Sequence, residues 1–499
     1  MNSRPSFLSF ALAFGVALAA FVAALVAARL AGGSVAPVIC SIVAAAVITA
    51  LFAWRPMEGL VAFAIAILVT DTVELWARAD IRYLDEAAIP MLAVAALAFH
   101  RDRIAIPRPG LREAGLVLFL VAALVSTFLN AVPIRVWAPG LVLMAKGFAF
   151  FYLVTSLRFE RDEVVRAMLT VFGFGLAVTA IGLAEFVAPD VVRGLYHLPA
   201  SDQQRGEVTI VTSIFQHPAL YGWLTAFLSL FLYARFAVDR SPWALGLAVL
   251  MNAGTLLSGR RTPLIGVVAG LVVGAARQLR VGRDAVRTWA AILGALVLVG
   301  ILALPFLSSQ LSDTLADYVA PPEQIEEIFG PDPDPQVLRT MQPRIGLYLG
   351  SLAIARNNLP FGEGTGRFGS QMSREVYSPV YAEYGMDGMY GIAEMWPIAV
   401  TDTFWPMILG EAGLLGLIGA GLFFAVLGRD LWRAAGLHAS GAVRVLLLGA
   451  LLVYVEALVR SLTSAVFVAP PIAYWVFGTV GLALSVARRE AAELEPETA

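Results

Sequence analysis

Apolar runs recur along nearly the whole chain, and short segments that carry charged residues and prolines separate them. A helix needs about 20 mostly apolar residues to cross the hydrocarbon core of a bilayer, and most of the runs approach that length. The pattern predicts an all-α fold, a polytopic membrane bundle of about 14 transmembrane helices. The predicted spans are 7–29, 34–54, 58–75, 84–100, 113–130, 139–157, 164–188, 216–236, 242–258, 262–277, 288–307, 403–427, 442–460 and 467–487.

Two intervals between the predicted spans are too long to be simple turns. They cover about 189–215 and 308–402. Loops of more than about 15 residues usually carry a function or a structure of their own. The sequence therefore predicts four parts, which are spans one to eleven (1–307), a large extracytoplasmic (periplasmic) loop subdomain (308–402), spans twelve to fourteen (403–487) and a cytoplasmic tail (488–499).

The composition agrees with a membrane location. Apolar residues make up 59% of the 499 positions and charged residues only 14%, whereas a soluble domain carries about 25% charge. This excludes a soluble enzyme, and it excludes a disordered chain, which needs low hydrophobicity and high net charge. The formal net charge of -2 argues against a nucleic-acid partner, because phosphate binding requires a basic face.

The distribution of arginines predicts how the bundle is oriented. If the N-terminus is cytoplasmic, 20 arginines fall on the cytoplasmic side and 14 on the opposite side. The positive-inside rule then places both termini in the cytoplasm. The first span is too long for the apolar region of a signal peptide, so we expect it to remain uncleaved.

Familiar catalytic and metal-binding motifs are absent from the sequence. Cys40 is the single cysteine, so neither an intramolecular disulfide nor a cysteine-based metal site can form. The sequence contains no HExxH, CxxC, Walker or GxSxG motif, which leaves metalloprotease, redox, ATPase and serine-hydrolase functions without support. We expect neither a metal nor a cofactor.

Two adjacent arginines stand out in a short outer turn. Arg260 and Arg261 lie in the segment SGRRTP, 258–263. Positive charge on the outer side opposes the positive-inside bias, so we expect an anionic group on that side to stabilise these two arginines. A lipid diphosphate would do so, because guanidinium groups match phosphate oxygens with paired hydrogen bonds. Snorkelling of both side chains to phospholipid headgroups is the alternative explanation.

A second set of candidates lies in and after the longer outer interval. Arg344 precedes an apolar stretch, and the segment PFGEGTGRF, 360–368, follows with Arg367. Asp402 stands at the outer mouth of predicted span twelve and Glu411 inside that span, where a carboxylate usually faces a cavity or a partner. A structural turn at the glycines and a helix cap at Asp402 are the alternative explanations.

Polar residues also interrupt other predicted spans. His217 lies in FQHP, 215–218, at the start of predicted span eight, where it is either a hydrogen-bonded structural residue or part of a site. Lys146 lies within span six, and Glu456 and Arg460 are four positions apart in span thirteen. For Glu456 and Arg460 the better explanation is structural pairing within the bundle.

Taken in order, these segments resemble the O-antigen ligase and Wzy-type polysaccharide polymerase superfamily of integral membrane glycosyltransferases. The resemblance spans about 205–420, whereas the earlier spans match only in hydropathy. Its four parts are Arg205 with FQHP (215–218), SGRRTP (258–263), Arg344 through PFGEGTGRF (360–368), and Asp402 through EAGLLG (411–416).

The resemblance implies glycan transfer from an undecaprenyl-diphosphate carrier at the periplasmic face of the bacterial inner (cytoplasmic) membrane, without a metal or a nucleotide. By the same resemblance, Arg261 and Arg344 bind the diphosphate, and positioned cations would stabilise the charge that grows on it. The further substrate-binding candidates are Arg260, Arg205, His217, Glu411 and Arg367.

One position departs from the ligase pattern. Ligases of this superfamily carry a histidine, the activator of the acceptor hydroxyl, where this chain has Asp402. A carboxylate could act as the general base if its pKa is raised, or could only orient the acceptor sugar. The substitution favours a polymerase that uses a sugar acceptor over a lipid A ligase.

The predicted function is therefore that of an inner-membrane polysaccharide polymerase in exopolysaccharide, capsule or O-antigen synthesis. It would transfer glycan from undecaprenyl diphosphate to the sugar hydroxyl of a lipid-linked repeat unit. Its partners would be the lipid-linked donor and acceptor and the lipid bilayer, and could include chain-length regulator and export proteins. The alternatives are a ligase that transfers finished glycan to a lipid or protein, and a transporter or flippase of lipid-linked sugar.

Overall fold

The computed structural model describes residues 35–77, 81–195, 204–205, 208–279, 286–301, 342–437 and 441–494. Predicted span one (7–29), the end of span eleven (302–307), the first part of the predicted loop subdomain (308–341) and the last five residues of the predicted tail lie outside these ranges.

Most of the described residues are helical. The two strands described are a two-residue antiparallel pair, β1 (Gln204–Arg205) with β2 (Val208–Thr209). In chain order the helices are α1 Val35–Trp54, α2 Pro56–Leu68, α3 Thr70–Ala77, α4 Leu84–Phe99, α5 Leu111–Leu129, α6 Ile134–Ser156, α7 Arg161–Val187, α8 Pro189–Leu195, α9 Pro218–Asp239, α10 Pro242–Leu257, α11 Thr262–Leu279, α12 Val286–Ile301, α13 Pro343–Asn358, α14 Gln371–Glu375, α15 Val380–Glu383, α16 Trp405–Ala434, α17 Gly441–Arg460 and α18 Ile472–Leu494.

Many of these helices can cross a membrane. Within the described ranges, 8 helices are long and apolar enough to do so, or up to 9 if the bent pair α2 and α3 forms one span. Helices α10 and α12 are apolar but shorter. The all-helical, multi-pass membrane class is thus confirmed, while the number of about 14 spans stays a prediction.

The predicted span 58–75 is not one straight helix. Helices α2 and α3 meet at an angle of 63°. The bend falls in a polar stretch, and hydrogen bonds join α3 to the segment before α9. The Thr72 hydroxyl donates to the Ile214 carbonyl over 2.8 Å, and the Gln216 amide donates to the Asp71 carbonyl over 2.8 Å. These polar contacts explain why the apolar run does not continue as a single span.

Helix α9 lies at the centre of the bundle and packs against α10, α11 and α17. Small residues allow the helices to approach closely. A Cβ placed on Gly222 would lie 2.2 Å from the Ser258 Oγ, and one on Gly449 would lie 2.5 Å from the Phe231 ring. A glycine also allows α5 and α16 to pack closely, because a Cβ on Gly419 would lie 2.5 Å from the Phe119 backbone nitrogen.

A charged group lies inside the bundle, between α4, α6 and α18. The Lys146 ammonium is 2.5 Å from a carboxylate oxygen of Asp85 and 2.6 Å from one of Glu86. The Tyr474 hydroxyl donates to Asp85 over 2.6 Å. Since only 7% of the Lys146 side chain is exposed, these carboxylates supply the charge that its burial requires.

The described part of the predicted loop subdomain has a small hydrophobic core of its own. Leu347 and Ile354 of α13 pack with residues of the following turns, and all of them are fully buried. The other members are Phe368, Val380, Tyr381, Met386, Met389, Ile392 and Val400. This core fixes the first turn of α13 and the segment that leads into α16.

The alternation of helix directions defines two ends of the bundle. Helix α7 ends, α9 begins, α10 ends, α11 begins, α16 begins and α17 ends at one end, which we call the site end. At the other end, called the far end, α6 ends, α7 begins, α16 ends and α18 ends. Residues far apart in the sequence therefore meet at each end.

Candidate functional site

The first contact at the site end joins Arg344 to Asp402. Pro343 begins α13, which places Arg344 in the first turn, and Asp402 lies three residues before α16. The Arg344 Nη2 atom donates to the Asp402 Oδ2 atom over 3.0 Å. Phe404 occupies the N-cap position of α16 and no side chain caps that helix, so Asp402 is not a helix cap.

The electrostatic surroundings of Asp402 come from several elements. Burial raises the pKa of the Asp402 carboxyl, although the positive charges of Arg344, Arg260 and Arg374 act in the opposite direction. A raised pKa makes a carboxylate a stronger base. The same observation shows that three arginines from separate parts of the chain lie near one carboxylate.

The second contact joins His217 to Arg260. His217 precedes Pro218 at the start of α9, and its Nδ1 atom accepts from the Ala219 amide over 3.1 Å. Burial, and then the charges of Arg260 and Arg460, lower the pKa of His217 to about 4. The ring is therefore neutral at pH 7, and because Nδ1 accepts, Nε2 carries the hydrogen.

This tautomer has a consequence for the contact with Arg260. The Arg260 Nη2 atom lies 3.2 Å from the His217 Nε2 atom. Both atoms then carry hydrogens, so two donors face each other. An anionic oxygen that lies beside both atoms could accept a hydrogen bond from each.

Arg460 brings a further positive charge to the site end. Its side chain is only 7% exposed, and its Nη1 atom lies 3.9 Å from the Glu456 Oε1 atom, too far for a hydrogen bond. Among the described residues neither atom has a hydrogen-bond partner. The sequence-based pairing of Glu456 with Arg460 is therefore present as a loose ion pair.

The residue after Arg460 links α17 to the start of α16. The Ser461 carbonyl accepts from the Phe404 amide over 3.4 Å, and its hydroxyl accepts from the Trp405 indole over 2.8 Å. The Tyr348 hydroxyl of α13 donates to the Leu462 carbonyl over 2.9 Å. These bonds hold the end of α17 against the two elements that carry Arg344 and Asp402.

Together these residues form one group, here called the cationic cluster: His217, Arg260, Arg344, Arg374, Asp402 and Arg460. The sequence predicted the first three and Asp402 as site residues and missed the other two. Arg460 gave a usable signal, an arginine at the end of an apolar span. Arg374 gave none, because its position depends on how 342–404 folds.

Two other predicted residues lie at or near the site end. Arg261 follows Arg260 directly before α11, and its carbonyl accepts from the Ile265 amide over 3.1 Å. The backbone of Arg205 lies in β1, but its side chain is outside the described residues.

Glu411 has a clear structural partner. It is fully buried in α16, and its Oε1 atom accepts from the Phe368 amide over 3.2 Å. Its carbonyl accepts from the Gly364 amide over 3.0 Å, and the Gly410 carbonyl accepts from the Glu363 amide over 2.8 Å. Glu411 thus holds the glycine-rich segment against α16.

Arg367 lies in that same segment and is half-buried. Its Nε atom is buried and, within the described ranges, lacks a hydrogen-bond acceptor. The structure brings Arg367 close to Glu411 through the neighbouring Phe368, on the side of α16 that the glycine-rich segment covers.

The segment before α9 is held by a buried carboxylate that the sequence gave no reason to select. Glu185 in α7 is fully buried and accepts from the Arg193 Nε atom over 2.8 Å. It also accepts from the backbone amides of Thr212 and Ser213, over 2.9 Å and 2.6 Å. This network fixes the approach to His217.

The cluster offers arginines and one carboxylate rather than metal ligands. In the part of the chain that the structure describes, no group of three or more His, Cys, Asp or Glu side chains could hold a metal ion. Such a set of groups is suited to binding a phosphate and to accepting a proton.

No protein-family model matches the chain, and no curated protein matches it significantly. The residues of the cationic cluster and their position in the bundle are therefore the guide to function.

Proposed function

We propose that the protein is an inner-membrane polysaccharide polymerase that transfers glycan from undecaprenyl diphosphate to the sugar hydroxyl of a lipid-linked repeat unit. The observation that carries the proposal is the convergence of four arginines with the carboxylate of Asp402 at one end of a membrane bundle. With the predicted topology, this end faces the periplasm.

The arginines would bind the diphosphate of the donor. Guanidinium groups match phosphate oxygens with paired hydrogen bonds and keep their charge in partly buried surroundings. An oxygen beside the Arg260 Nη2 and His217 Nε2 atoms would accept from both donors, and Arg344 could bind a second oxygen. Arg261 follows Arg260 and would complete the set that the family resemblance implies.

Asp402 would activate the acceptor. In the proposed step the acceptor hydroxyl oxygen forms a bond to the anomeric carbon of the donor glycan, and the bond from that carbon to the phosphate oxygen breaks. The bonding electron pair leaves with undecaprenyl diphosphate, and the hydroxyl proton passes to Asp402. Preorganised arginines stabilise the charge that develops on the leaving diphosphate.

The position of the cluster supports chemistry over transport. Transporters usually bind their substrate near the midplane, between broken helices. The cationic cluster instead lies where helices begin and end, beside the described part of the long loop. A ligase acting at the same site remains the alternative within the superfamily.

The first test replaces the arginines in the living cell. We expect Arg344→Ala and Arg261→Ala to abolish polymer while the protein is still inserted in the membrane at a normal level. Arg135→Ala is the matched control, because Arg135 is exposed at the start of α6, at the site end. Normal polymer in both site variants would overturn the diphosphate assignment.

A second test separates polymerase from ligase. In a deletion strain the glycan on undecaprenyl diphosphate is extracted and sized. Single repeat units show that polymerisation is the missing step, whereas long chains show that final transfer is missing and would replace the proposed function with the ligase.

A further inference from the structure

A second basic region lies at the far end of the bundle. A cavity of about 1070 Å³ opens there between the turn after α4, the α6–α7 connection and the last turns of α18. Backbone bonds join its two walls, since the Ala105 amide donates to the Ser156 carbonyl and the Arg158 amide to the Arg103 carbonyl, over 2.7 Å and 2.9 Å. The cavity is thus part of the packed fold.

The lining of the cavity carries more positive than negative charge. Its arginines are Arg103, Arg108, Arg158, Arg161, Arg488 and Arg489. Its carboxylates are Asp102, Glu160, Asp162 and Glu493.

Three of the six arginines are already engaged. Arg103 donates to Glu163 over 2.8 Å and Arg489 donates to Glu493 over 2.8 Å. Arg488 donates to the carbonyls of Ala105 and Thr155, which carry no net negative charge.

The other three arginines are not directly paired among the described residues, although Asp102, Glu160 and Asp162 belong to the same lining. In the described ranges, no carboxylate lies within ion-pair distance of Arg108, Arg158 or Arg161, and all three residues are exposed. Arg158 also acts electrostatically on Arg488, so like charges lie close together. An anion in the cavity would remove this repulsion.

The position and the size of the cavity point to a lipid as the source of the anion. It lies where α6 and α18 end and α7 begins, and therefore at the level of the phospholipid headgroups. Its volume exceeds that of a phosphate alone, and Ile106 on its wall is 81% exposed, so an acyl chain could lie against it. Basic pockets between transmembrane helices are known to bind acidic lipid headgroups.

We propose that the far-end cavity binds the phosphate headgroup of an anionic phospholipid, with Arg158 and Arg161 as the principal ligands. This site is separate from the cationic cluster, because the two lie at opposite ends of the bundle. The proposal therefore does not depend on the polymerase function.

The test measures lipid binding to the purified full-length protein by native mass spectrometry, with phosphatidylglycerol and phosphatidylcholine as probes. We expect phosphatidylglycerol to bind at least about tenfold more tightly than phosphatidylcholine. The double variant Arg158→Gln, Arg161→Gln should lose this preference, and Arg108→Gln should weaken it.

The matched control is the double variant Arg101→Gln, Arg433→Gln, which removes the same charge from exposed far-end residues outside the cavity. If the cavity variant and the control lose the preference for phosphatidylglycerol equally, the proposal is overturned, because the effect would then be one of net charge. Equal binding of both lipids would also overturn it. Displacement of phosphatidylglycerol by millimolar inorganic phosphate would show a soluble-phosphate site instead of a lipid site.

Discussion

The carboxylate of Asp402 is subject to two opposing influences. Burial favours its neutral form, and the arginines around it favour its charged form. Burial is the stronger of the two, so the pKa of Asp402 lies above its ordinary value of 3.8. If Asp402 is the general base, activity requires the deprotonated form and falls as the pH drops through this raised pKa.

Replacing Arg374 should shift the acid limb of the pH–rate profile, which is the pH range in which activity falls as Asp402 is protonated. Arg374→Gln removes a positive charge that lowers the pKa of Asp402, so we expect the acid limb of the pH–rate profile, normalised to the plateau of the same variant, to move to higher pH. The profile is measured with purified donor and acceptor in membranes. Arg135→Gln serves as the control, and an unshifted limb in Arg374→Gln would contradict the role of Asp402 as base.

Two variants of Asp402 itself also test whether this residue is the general base. Asp402→Asn keeps the size and the polar contacts of the side chain but cannot take up a proton at neutral pH. We expect activity in Asp402→Asn to fall by at least about 100-fold, as in Asp402→Ala, because general-base catalysis commonly contributes that much. Activity retained in Asp402→Asn and lost in Asp402→Ala would show that Asp402 only orients the acceptor.

At the scale of elements, the kink in α16 determines how the glycine-rich segment is held. Gly413 has a φ of 72°, and a Cβ there would lie 2.2 Å from the Phe361 carbonyl carbon. The break in the helix makes room for Phe361, and Glu411 then meets the amide of Phe368. The two glycine-containing segments of the family resemblance are thus the two halves of one packing contact.

Gly413→Ala should therefore destabilise the protein. A side chain in this left-handed conformation costs about 1–3 kcal/mol, before the clash with Phe361 is added. Gly421→Ala is the matched control in the same helix, because a Cβ at Gly421 would meet no atom within 4 Å. We expect a lower Tm in detergent for Gly413→Ala and an equal or higher Tm for Gly421→Ala; equal Tm values for the two variants would contradict the packing argument.

Most helices could be predicted from the sequence because arginine, proline or glycine ends their apolar runs. The predicted spans 113–130 and 442–460 correspond to Leu111–Leu129 and Gly441–Arg460. The bend between α2 and α3 could not be predicted, because it depends on hydrogen bonds to Ile214 and from Gln216, which are distant in the sequence.

The site could be predicted only in part, for the same reason. Arg260, Arg344 and Asp402 stand out locally as charges beside apolar spans. Arg374 lies in the short helix α14 and approaches Asp402 only after 342–404 has folded around its own core. The pairing of Glu411 with the Phe368 amide likewise requires the kink at Gly413.

At the scale of the whole molecule, the two charged ends make the orientation testable. In a Cys40→Ser background, Met395→Cys places a thiol at a residue that is 90% exposed in the described part of the loop. Arg101→Cys places one at the far end. With the site end periplasmic, a membrane-impermeant maleimide should label Met395→Cys in intact spheroplasts and Arg101→Cys only after lysis; the reverse pattern would invert the topology.

Lys146 is the one lysine in the sequence, and it is enclosed between α4, α6 and α18 with its ammonium against two carboxylates. Lysine-directed acylating reagents should therefore leave this residue unmodified while the bundle is intact, because acylation requires an accessible and uncharged amine. The appearance of acylated Lys146 in a peptide digest would report that these three helices have separated. The chain thus carries a built-in chemical probe for the loss of its packing, which needs no engineered label.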